Sequence, residues 1–377
     1  MIYLDRITTT PLDERVFRTM EPYLREHWGS PSNLGRAGDA PAAALEKARA
    51  DVSALVGSKA EEIFFTSGGA EASNWAIKGL LRHPRVAGRR VLASPVENLH
   101  VRHPLERMRR EGFDVSWLSV DSEGRVNPDE VQKTLRREKA ALVALVAASG
   151  EAGTLEPLVG VGRIAREAGA AFFVDATHAA GHVPLDVREM NIDLLSLSAH
   201  YFYGPKGAGA LFRREGLSLL PLVEGGAQEE GLRAGTPNVA GCAGLGEAAR
   251  LAREEADSRG THLGSLAREI RAVLQSLDGL SLTGHPVERL PGHESFCVEG
   301  VDGEALLVLL NEEGVTASSG SVCSSEIGKP SHVLQAMGLP PERIKSSLVL
   351  APLKSTTREE VLEAMRILKH CVERLRA

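Results

Sequence analysis

The chain has 377 residues, of which 43% are hydrophobic, and it carries a formal net charge of −6 at pH 7. This length and composition are typical of a globular protein with one large and one smaller domain, and they argue against disorder. The sequence contains no basic run of the kind that binds nucleic acid. It also contains no apolar run long enough to span a bilayer and no signal-peptide pattern at its start, so we expect a cytoplasmic protein.

The cysteine pattern excludes two common roles. None of the four cysteines belongs to a C-x-x-C pair, so neither a zinc knuckle nor a redox dithiol is predicted. A cytoplasmic protein keeps its cysteines reduced. Cys297 has apolar neighbours and is expected to be buried as a small hydrophobic residue. Cys323 differs because it lies in a segment rich in glycine and serine.

Strand-like and helical segments alternate from about residue 60 to about residue 215. Strands are predicted at Ile63–Thr66, Arg90–Ala93, Phe113–Leu118, Ala141–Ala148, Ala171–Val174, Leu194–Ser198 and Ala208–Phe212. Helices are predicted at His103–Gly112, from Asn127-Pro128 onward, and at Arg163–Gly169. The alternation predicts an α/β fold with a mostly parallel sheet that is covered by helices on both faces.

A second, smaller α+β domain is predicted at the C-terminal end. A long helical stretch from Ala243 to Leu277 leads into it, and its last helix begins with a capping box at Thr357. We expect an N-terminal segment, residues 1–15, to pack on this small domain. The predicted large domain covers residues 16–250, and the small domain covers residues 251–377 and carries the Cys323 loop.

Three polar motifs follow predicted strands directly. They are Thr66-Ser67-Gly68-Gly69, Asp175 and Ser198-Ala199-His200. Ligands of parallel sheets bind beyond the carboxyl ends of the strands. We therefore expect these motifs to converge on one cleft.

Eleven motifs in the same order along the whole chain carry a family resemblance. They are Tyr3–Asp5, Thr9–Leu12, Gly29–Ser32, Phe65–Ala72, Glu151–Thr154, Val174–Thr177, Ser198–His200, Tyr203–Gly207, Gly225–Glu229, Arg233–Thr236 and Ser319–Cys323. In these motifs the chain resembles the NifS/IscS cysteine desulfurases. These are class-V aminotransferases of PLP (pyridoxal phosphate) fold type I. The resemblance implies a homodimer that converts cysteine to alanine and a persulfide, which a sulfur acceptor or an iron–sulfur scaffold then receives.

Several positions match cofactor contacts of that family. The resemblance implies that Asp175 pairs with the pyridinium nitrogen of PLP, although a helix-capping role after a strand remains an alternative. Ser198 and His200 match contacts to the phosphate, as do Gly68 and Gly69 in the first turn. The resemblance also places His178 beside the phenolic oxygen of PLP, although a histidine whose hydrogen bonds are satisfied at a strand end remains an alternative. Thr236 matches a threonine that reaches the phosphate bound in the neighbouring subunit.

Other positions depart from the family's pattern. Tyr201 replaces the Schiff-base lysine, and a phenol cannot form that bond. Val349 replaces the arginine that clamps the substrate carboxylate through a bidentate pair. The remaining departures are Asn98 for the stacking histidine, Ser149-Gly150 for the asparagine region, Ala70 for a threonine and Arg6 for an asparagine. Lys206, five residues beyond Tyr201, is expected to point elsewhere.

Cys323 matches the persulfide cysteine of the family. A mobile Gly/Ser-rich loop suits a thiol that relays sulfur, although an inert remnant remains an alternative. A thiolate there is also a candidate ligand of an iron–sulfur cluster shared with a partner chain, because one cysteine cannot hold a cluster alone. No other metal site is predicted.

Three hypotheses follow from this pattern. The first is a desulfurase-like protein without Schiff-base chemistry that acts in sulfur relay or iron–sulfur assembly, or as a pseudoenzyme partner of a true desulfurase. The second is an active PLP-dependent desulfurase or lyase with a non-covalent cofactor, in which Tyr201 serves as an acid–base group. The third is a fold repurposed to bind another ligand in a cleft lined by His178, Tyr201, Tyr203 and Arg6.

Overall fold

The computed structural model describes residues 1–319 and 330–377. A seven-stranded sheet lies at its centre, in the order β2-β8-β7-β6-β5-β3-β4. Strand β8 runs antiparallel to both of its neighbours, and the other pairs in this sheet are parallel. The strands are β1 (Ile2–Tyr3), β2 (Ile63–Thr66), β3 (Arg90–Ala93), β4 (Asp114–Trp117), β5 (Leu142–Val146), β6 (Ala171–Asp175), β7 (Leu194–Ser198), β8 (Gly209–Arg213), β9 (Leu280–Leu282), β10 (Glu294–Val298), β11 (Val315–Thr316) and β12 (Ser347–Leu350).

Helices cover both faces of the sheet, as the alternating sequence pattern predicts, and the α/β fold class is confirmed. The helices are α1 (Glu14–Arg25), α2 (Arg36–Val56), α3 (Gly69–Leu81), α4 (Leu99–Arg110), α5 (Pro128–Arg137), α6 (Leu158–Ala168), α7 (Val239–Glu254), α8 (Ala256–Leu274), α9 (Gly303–Glu312), α10 (His332–Ala336), α11 (Pro341–Lys345) and α12 (Arg358–Arg376). Among the described helices, none combines the length and apolarity that a membrane crossing requires.

The apolar strand β5 explains why the sheet is covered on both faces. All five of its residues are buried. Val143 and Leu145 pack into one hydrophobic cluster, whereas Leu142 and Ala144 pack into another on the opposite face. Successive side chains of a strand point to opposite faces, so a continuous apolar run requires two cores.

A smaller antiparallel sheet, in the order β12-β10-β9, forms a separate core with α8, α9 and α12. The N-terminal strand β1 pairs with β11 in parallel register, with Ile2 opposite Val315. Leu4 is fully buried in the core of the small sheet. Further along, the N-terminal segment meets the turn after β7, where the backbone N–H of Thr10 donates to the backbone oxygen of His200 at 2.9 Å. The residue boundaries that we predict for the two domains remain predictions.

Helix α6 begins at Leu158, five residues before the predicted start at Arg163. Two further helix boundaries differ from the sequence prediction. Helix α4 begins at Leu99, four residues before the predicted start at His103. The helical stretch predicted from Ala243 to Leu277 is divided at Glu255, whose φ and ψ of −99° and 6° interrupt the helix between α7 and α8. In each of these two cases a side chain that is engaged in tertiary contacts lies at the boundary, as described below.

Candidate functional site

The turns after β2, β6 and β7 meet at one edge of the large sheet. A Cβ atom placed on Gly69 would lie 2.2 Å from the methyl carbon of Thr177, and one on Gly68 would lie 3.6 Å from Ser198 Oγ. Position 69 therefore has no room for a side chain. The two glycines at the start of α3 bring this turn against the strand ends that carry Asp175 and Ser198.

Asp175 is the centre of the site and is completely buried. Its Oδ2 accepts a hydrogen bond from Asn98 Nδ2 at 2.6 Å and contacts His100 Nε2 at 2.9 Å. Its Oδ1 accepts from the backbone N–H of Thr177 at 3.1 Å and from Ser196 Oγ at 3.2 Å. The bond from Thr177 is the local turn contact of the capping alternative, but the other three contacts come from more distant parts of the chain.

The charge of Asp175 is matched by His100. Burial alone would raise the pKa of Asp175, but attraction to His100 and hydrogen bonds from His100 and Asn98 lower it below its ordinary value. Burial alone would lower the pKa of His100, whereas the charge and the hydrogen bond of Asp175 raise it. The two groups therefore form a hydrogen-bonded carboxylate–imidazole pair in which each favours the charged form of the other.

Asn98 explains where α4 begins. It occupies the N-cap position of the helix with extended backbone angles, but its side chain makes no capping hydrogen bond. Its amide is directed to Asp175 instead. Asparagine is a preferred N-cap residue, so the sequence does contain a signal for this boundary, and the prediction that starts the helix at His103 does not use it.

Tyr201 lies in a short 3-10 turn, Ala199–Tyr201, directly after β7. Its ring is 4.6 Å from the ring of His178 and 4.2 Å from the ring of His200, measured between centroids. Its backbone oxygen contacts His182 Nε2 at 2.8 Å. An aromatic cluster thus stands where the resemblance places an amine.

His178 packs against the backbone of Gly150. A Cβ atom on Gly150 would lie 2.7 Å from the Cε1 atom of His178, so any side chain at position 150 would collide with the imidazole. His178 Nε2 contacts the backbone oxygen of Ile7 at 3.2 Å. Its Nδ1 is buried and has no hydrogen-bond partner among the described residues. Burial lowers the pKa of His178 to about 4, so the ring is neutral.

The position of the family's carboxylate-binding arginine is apolar. Val349 is buried and packs with Ile7 and Ala351. Arg6 is also buried, and its guanidinium donates to the backbone oxygens of Pro352 at 3.1 Å and Pro291 at 2.6 Å. Burial lowers the pKa of Arg6.

Of the remaining predicted residues, some are buried and hydrogen-bonded and others are exposed. His200 Nδ1 contacts Thr9 Oγ1 at 3.2 Å, and burial lowers its pKa. Thr236 is exposed and lines a cavity of about 240 Å³ together with Ser67. Lys206 is exposed. The hydroxyl of Tyr203 accepts a hydrogen bond from the backbone N–H of Lys354 at 2.6 Å, and so it connects the turn after β7 with the segment after β12.

Cys323 lies outside the described residues, so its role remains a prediction. The other three cysteines, Cys242, Cys297 and Cys371, are buried and free. The expectation for Cys297 is confirmed. No group of metal-binding side chains is found among the residues that the structure describes.

Two features of the site are absent from the sequence prediction. One is His100, which the sequence displays only as a histidine in a basic segment. The other is a set of acidic side chains at the same sheet edge. Burial, followed by the charge of Asp175, raises the pKa of Glu97 well above its usual value. Burial also raises the pKa of Glu151 to about 7 and that of Glu156 to about 8.

The mostly parallel sheet and the polar motifs at its strand ends match those of a known protein family. A family model described as aminotransferase class-V matches residues 2–362, and the chain belongs to that family. It is similar to the cysteine desulfurase IscS of Methanosarcina thermophila, with 41% identity over 375 residues that cover 100% of this chain and 93% of the relative.

Further relatives give the same result. The cysteine desulfurase IscS of Dictyoglomus turgidum is 40% identical over 376 residues, covering 100% of this chain and 95% of the relative. A solved structure of a NifS-like protein has a TM-score of 0.91 and 32% identity, and the match covers 99% of each chain. The resemblance to IscS/NifS-like cysteine desulfurases is therefore confirmed. The family depends on PLP.

The described residues do not fit PLP in the way that the resemblance implies. Tyr201 provides a phenol, which cannot form an imine with the aldehyde of PLP. A carboxylate offers about four acceptor positions, and those of Asp175 already receive Asn98, His100, Thr177 and Ser196. No acceptor position of Asp175 remains for the ring nitrogen of the cofactor.

Proposed function

We propose that this chain is a cysteine desulfurase-like protein that forms no Schiff base with PLP and acts in sulfur transfer or iron–sulfur assembly together with a partner. The observation that carries the proposal is the ring packing of Tyr201 between His178 and His200. A lysine is required at this point of the cleft, and an aromatic cluster fills it instead.

The substrate side of the cleft supports the same conclusion. A free amino acid presents a carboxylate, which binds most strongly to a bidentate guanidinium. Val349 offers only an apolar surface, and the guanidinium of Arg6 is engaged with two backbone oxygens. At the two positions that the resemblance assigns to them, both within the described residues, neither the nucleophilic amine nor the carboxylate clamp of amino-acid chemistry is present.

Cys323 is proposed to receive sulfur rather than to take it from free cysteine. Its thiolate attacks the outer sulfur of a donor persulfide, and the donor's S–S bond breaks as the new bond forms. The donor leaves as a thiolate, so the transfer needs no oxidant or reductant. A homodimer is part of the same proposal, because Thr236 is exposed in the single chain and is the residue that the resemblance assigns to the neighbouring subunit.

The purified protein tests this proposal in two steps. Its visible spectrum is recorded with and without added PLP, and alanine release from cysteine is then measured. We expect no cofactor band and no alanine from the wild-type protein. The protein is next incubated with a persulfide donor, and each cysteine is examined by mass spectrometry.

We expect a persulfide on Cys323, with none in the Cys323→Ser variant. The buried residues Cys242, Cys297 and Cys371 serve as internal controls. A cofactor band together with alanine formation would overturn the proposal and favour the PLP-dependent enzyme. An unmodified Cys323 in the presence of the donor would contradict the proposed role of that residue in sulfur relay.

A further inference from the structure

The hydrogen bonds of Asp175 form a closed set. Asn98 Nδ2 and His100 Nε2 both lie on Oδ2, at 2.6 and 2.9 Å, and Thr177 N and Ser196 Oγ both lie on Oδ1. Ser196 is oriented in turn by Ser73, whose hydroxyl donates to it at 2.9 Å. All four donors belong to this chain, and together they use the full acceptor capacity of a carboxylate.

A completely buried carboxylate also requires a compensating charge. Among the described residues, the basic side chain that forms an ion pair with Asp175 is His100. Its side chain is 24% exposed, whereas that of Asp175 is fully buried, so the imidazole closes the outer side of the carboxylate.

We infer that the imidazolium of His100 is a built-in counter-ion of Asp175 that occupies the contact which the resemblance assigns to the ring nitrogen of PLP. The cleft therefore does not recognise a ligand through a basic ring nitrogen. This inference deepens the proposed function, because it concerns the same cleft. It stands on contacts of Asp175, however, and not on the absence of an amine at position 201.

The neighbouring ionisable groups leave His100 as the one cation of the pair. Glu97, just before α4, is buried, and burial followed by the charge of Asp175 raises its pKa well above the ordinary value, so Glu97 holds its proton in preference to Asp175. His178, just after β6, is neutral because burial lowers its pKa to about 4. Asn98 does not titrate. The protonation of this contact is thus set by Asp175 and His100.

The position of Asn98 indicates that this arrangement is built into α4. An N-cap asparagine ordinarily accepts a hydrogen bond from the first turn of its helix. Here the side chain makes no capping bond and donates to Asp175. The helix thus has no side-chain cap from Asn98, and its N-cap and first turn present Asn98 and His100 to the same oxygen atom.

Two ligands that differ only at the ring nitrogen test the inference. PLP and its 1-deaza analogue, in which carbon replaces that nitrogen, carry the same aldehyde and the same phosphate. Both are titrated against the Tyr201→Lys variant, which restores an amine for either aldehyde, and against the Tyr201→Lys/His100→Ala double variant. The ratio of the two dissociation constants measures whether Asp175 contacts the ring nitrogen.

We expect the Tyr201→Lys variant to bind both ligands within about twofold of each other. In the double variant Asp175 is released, and PLP should be preferred by tenfold or more, as a charge-assisted hydrogen bond provides. His103→Ala is the matched control, because His103 is an exposed histidine of the same helix, and it should leave the ratio unchanged. His100→Gln replaces His100→Ala if the alanine variant does not fold.

A tenfold preference for PLP in Tyr201→Lys alone would overturn the inference while leaving the proposed function intact. Conversely, a cofactor band in the wild-type protein would overturn the proposed function, and the ratio would still decide the role of His100. Histidine ¹⁵N NMR of the wild-type protein gives an independent measurement. The signals of His100 are assigned by their loss in His100→Ala. They should show a protonated ring at pH 7 in the wild-type protein and a neutral ring at pH 7 in Asp175→Asn. A neutral His100 at pH 6 would also overturn the inference.

Discussion

At the residue scale, Gly150 and His178 behave as one unit. The imidazole of His178 lies directly over position 150, where a Cβ atom would be 2.7 Å from Cε1 and 2.8 Å from Nε2. The ring cannot easily move, because it contacts the backbone oxygen of Ile7 on one side and Tyr201 on the other. An asparagine at position 150 is therefore incompatible with this position of the imidazole.

This contact predicts a strong coupling between the two residues. Gly150→Ala should lower the free energy of unfolding by about 1–3 kcal/mol, as overpacking of a buried site does. In a His178→Ala background the same substitution should cost almost nothing. Urea unfolding of the four proteins in the double-mutant cycle measures the coupling. Gly264→Ala in α8 is the control, since its Cβ would meet no atom within 4 Å. Equal costs in the two backgrounds would refute the contact.

The sequence predicts the individual site residues better than it predicts their contacts. Asp175, Ser198 and Tyr201 were identified because each follows a strand within a motif of the family. The role of His100 depends on the start of α4 at Leu99, which places His100 in the first turn of the helix. Its contact with Asp175 is made across 75 residues of chain, and local sequence patterns do not contain it.

At the element scale, three parts of the chain meet around Asp13. Its Oδ1 caps α1 by accepting from Arg15 N at 2.9 Å, and Oδ2 pairs with Lys354 from the segment after β12. Glu255, at the break between α7 and α8, pairs with Arg15 at 2.5 Å and with Lys354 at 3.6 Å. These pairs explain why the helical stretch is divided at Glu255. Such a division cannot be read from local periodicity, because it depends on residues more than 90 positions away.

Two substitutions of Asp13 separate the cap from the ion pairs. Asp13→Asn retains an oxygen that accepts from the first turn of α1, but it removes the charge that pairs with Lys354. Asp13→Ala removes both, so it should cost about 1 kcal/mol more in the free energy of unfolding, the usual contribution of a cap. Urea unfolding at low and high salt measures both contributions: the loss caused by each variant should shrink in salt, because both remove the charge, whereas the difference between them, which reports the cap, should not change. Equal costs for the two variants would show that the cap contributes nothing.

At the scale of the whole molecule, the large sheet gathers acidic groups whose ionisation opposes folding. Glu156 is buried, with Oε2 accepting from Val126 N at 2.9 Å, and burial raises its pKa to about 8. Glu151 is half-buried beside the hydroxyl of Ser331, and burial raises its pKa to about 7. Within the described residues, Asp175 alone among these acidic groups forms an ion pair, whereas burial outweighs the attraction of Arg125 to Glu156. The fold therefore favours the ionised form of Asp175 and the protonated forms of Glu151 and Glu156.

The sign of the resulting pH dependence follows from proton binding. Above the ordinary glutamate pKa, Glu151 and Glu156 have lost their protons in the unfolded chain. In the folded protein they keep them up to about pH 7 and about pH 8. Because the folded state binds more protons, stability falls as the pH rises to and through those values. His100 acts in the same direction, because its raised pKa stabilises the fold below that value. His178 and His293, whose pKa values burial lowers to about 4 and about 3, act in the opposite direction only below the ordinary histidine pKa. Above pH 7 these two histidines therefore do not offset the loss of stability that comes from Glu151 and Glu156.

We accordingly expect the free energy of unfolding to fall by about 1–2 kcal/mol between pH 7 and pH 9 from Glu151 and Glu156, since one pKa unit corresponds to about 1.4 kcal/mol. Glu156→Gln keeps the acceptor for Val126 N and removes the ionisation, so it should abolish the larger part of that decrease. Urea unfolding at both pH values measures the change, with the exposed Glu189→Gln as the control. If Glu156→Gln loses as much stability over this range as the wild-type protein, Glu156 is already ionised in the fold. In that case the attraction of Arg125 outweighs burial at Glu156, and the account of Glu156 as a protonated buried acid would have to be abandoned.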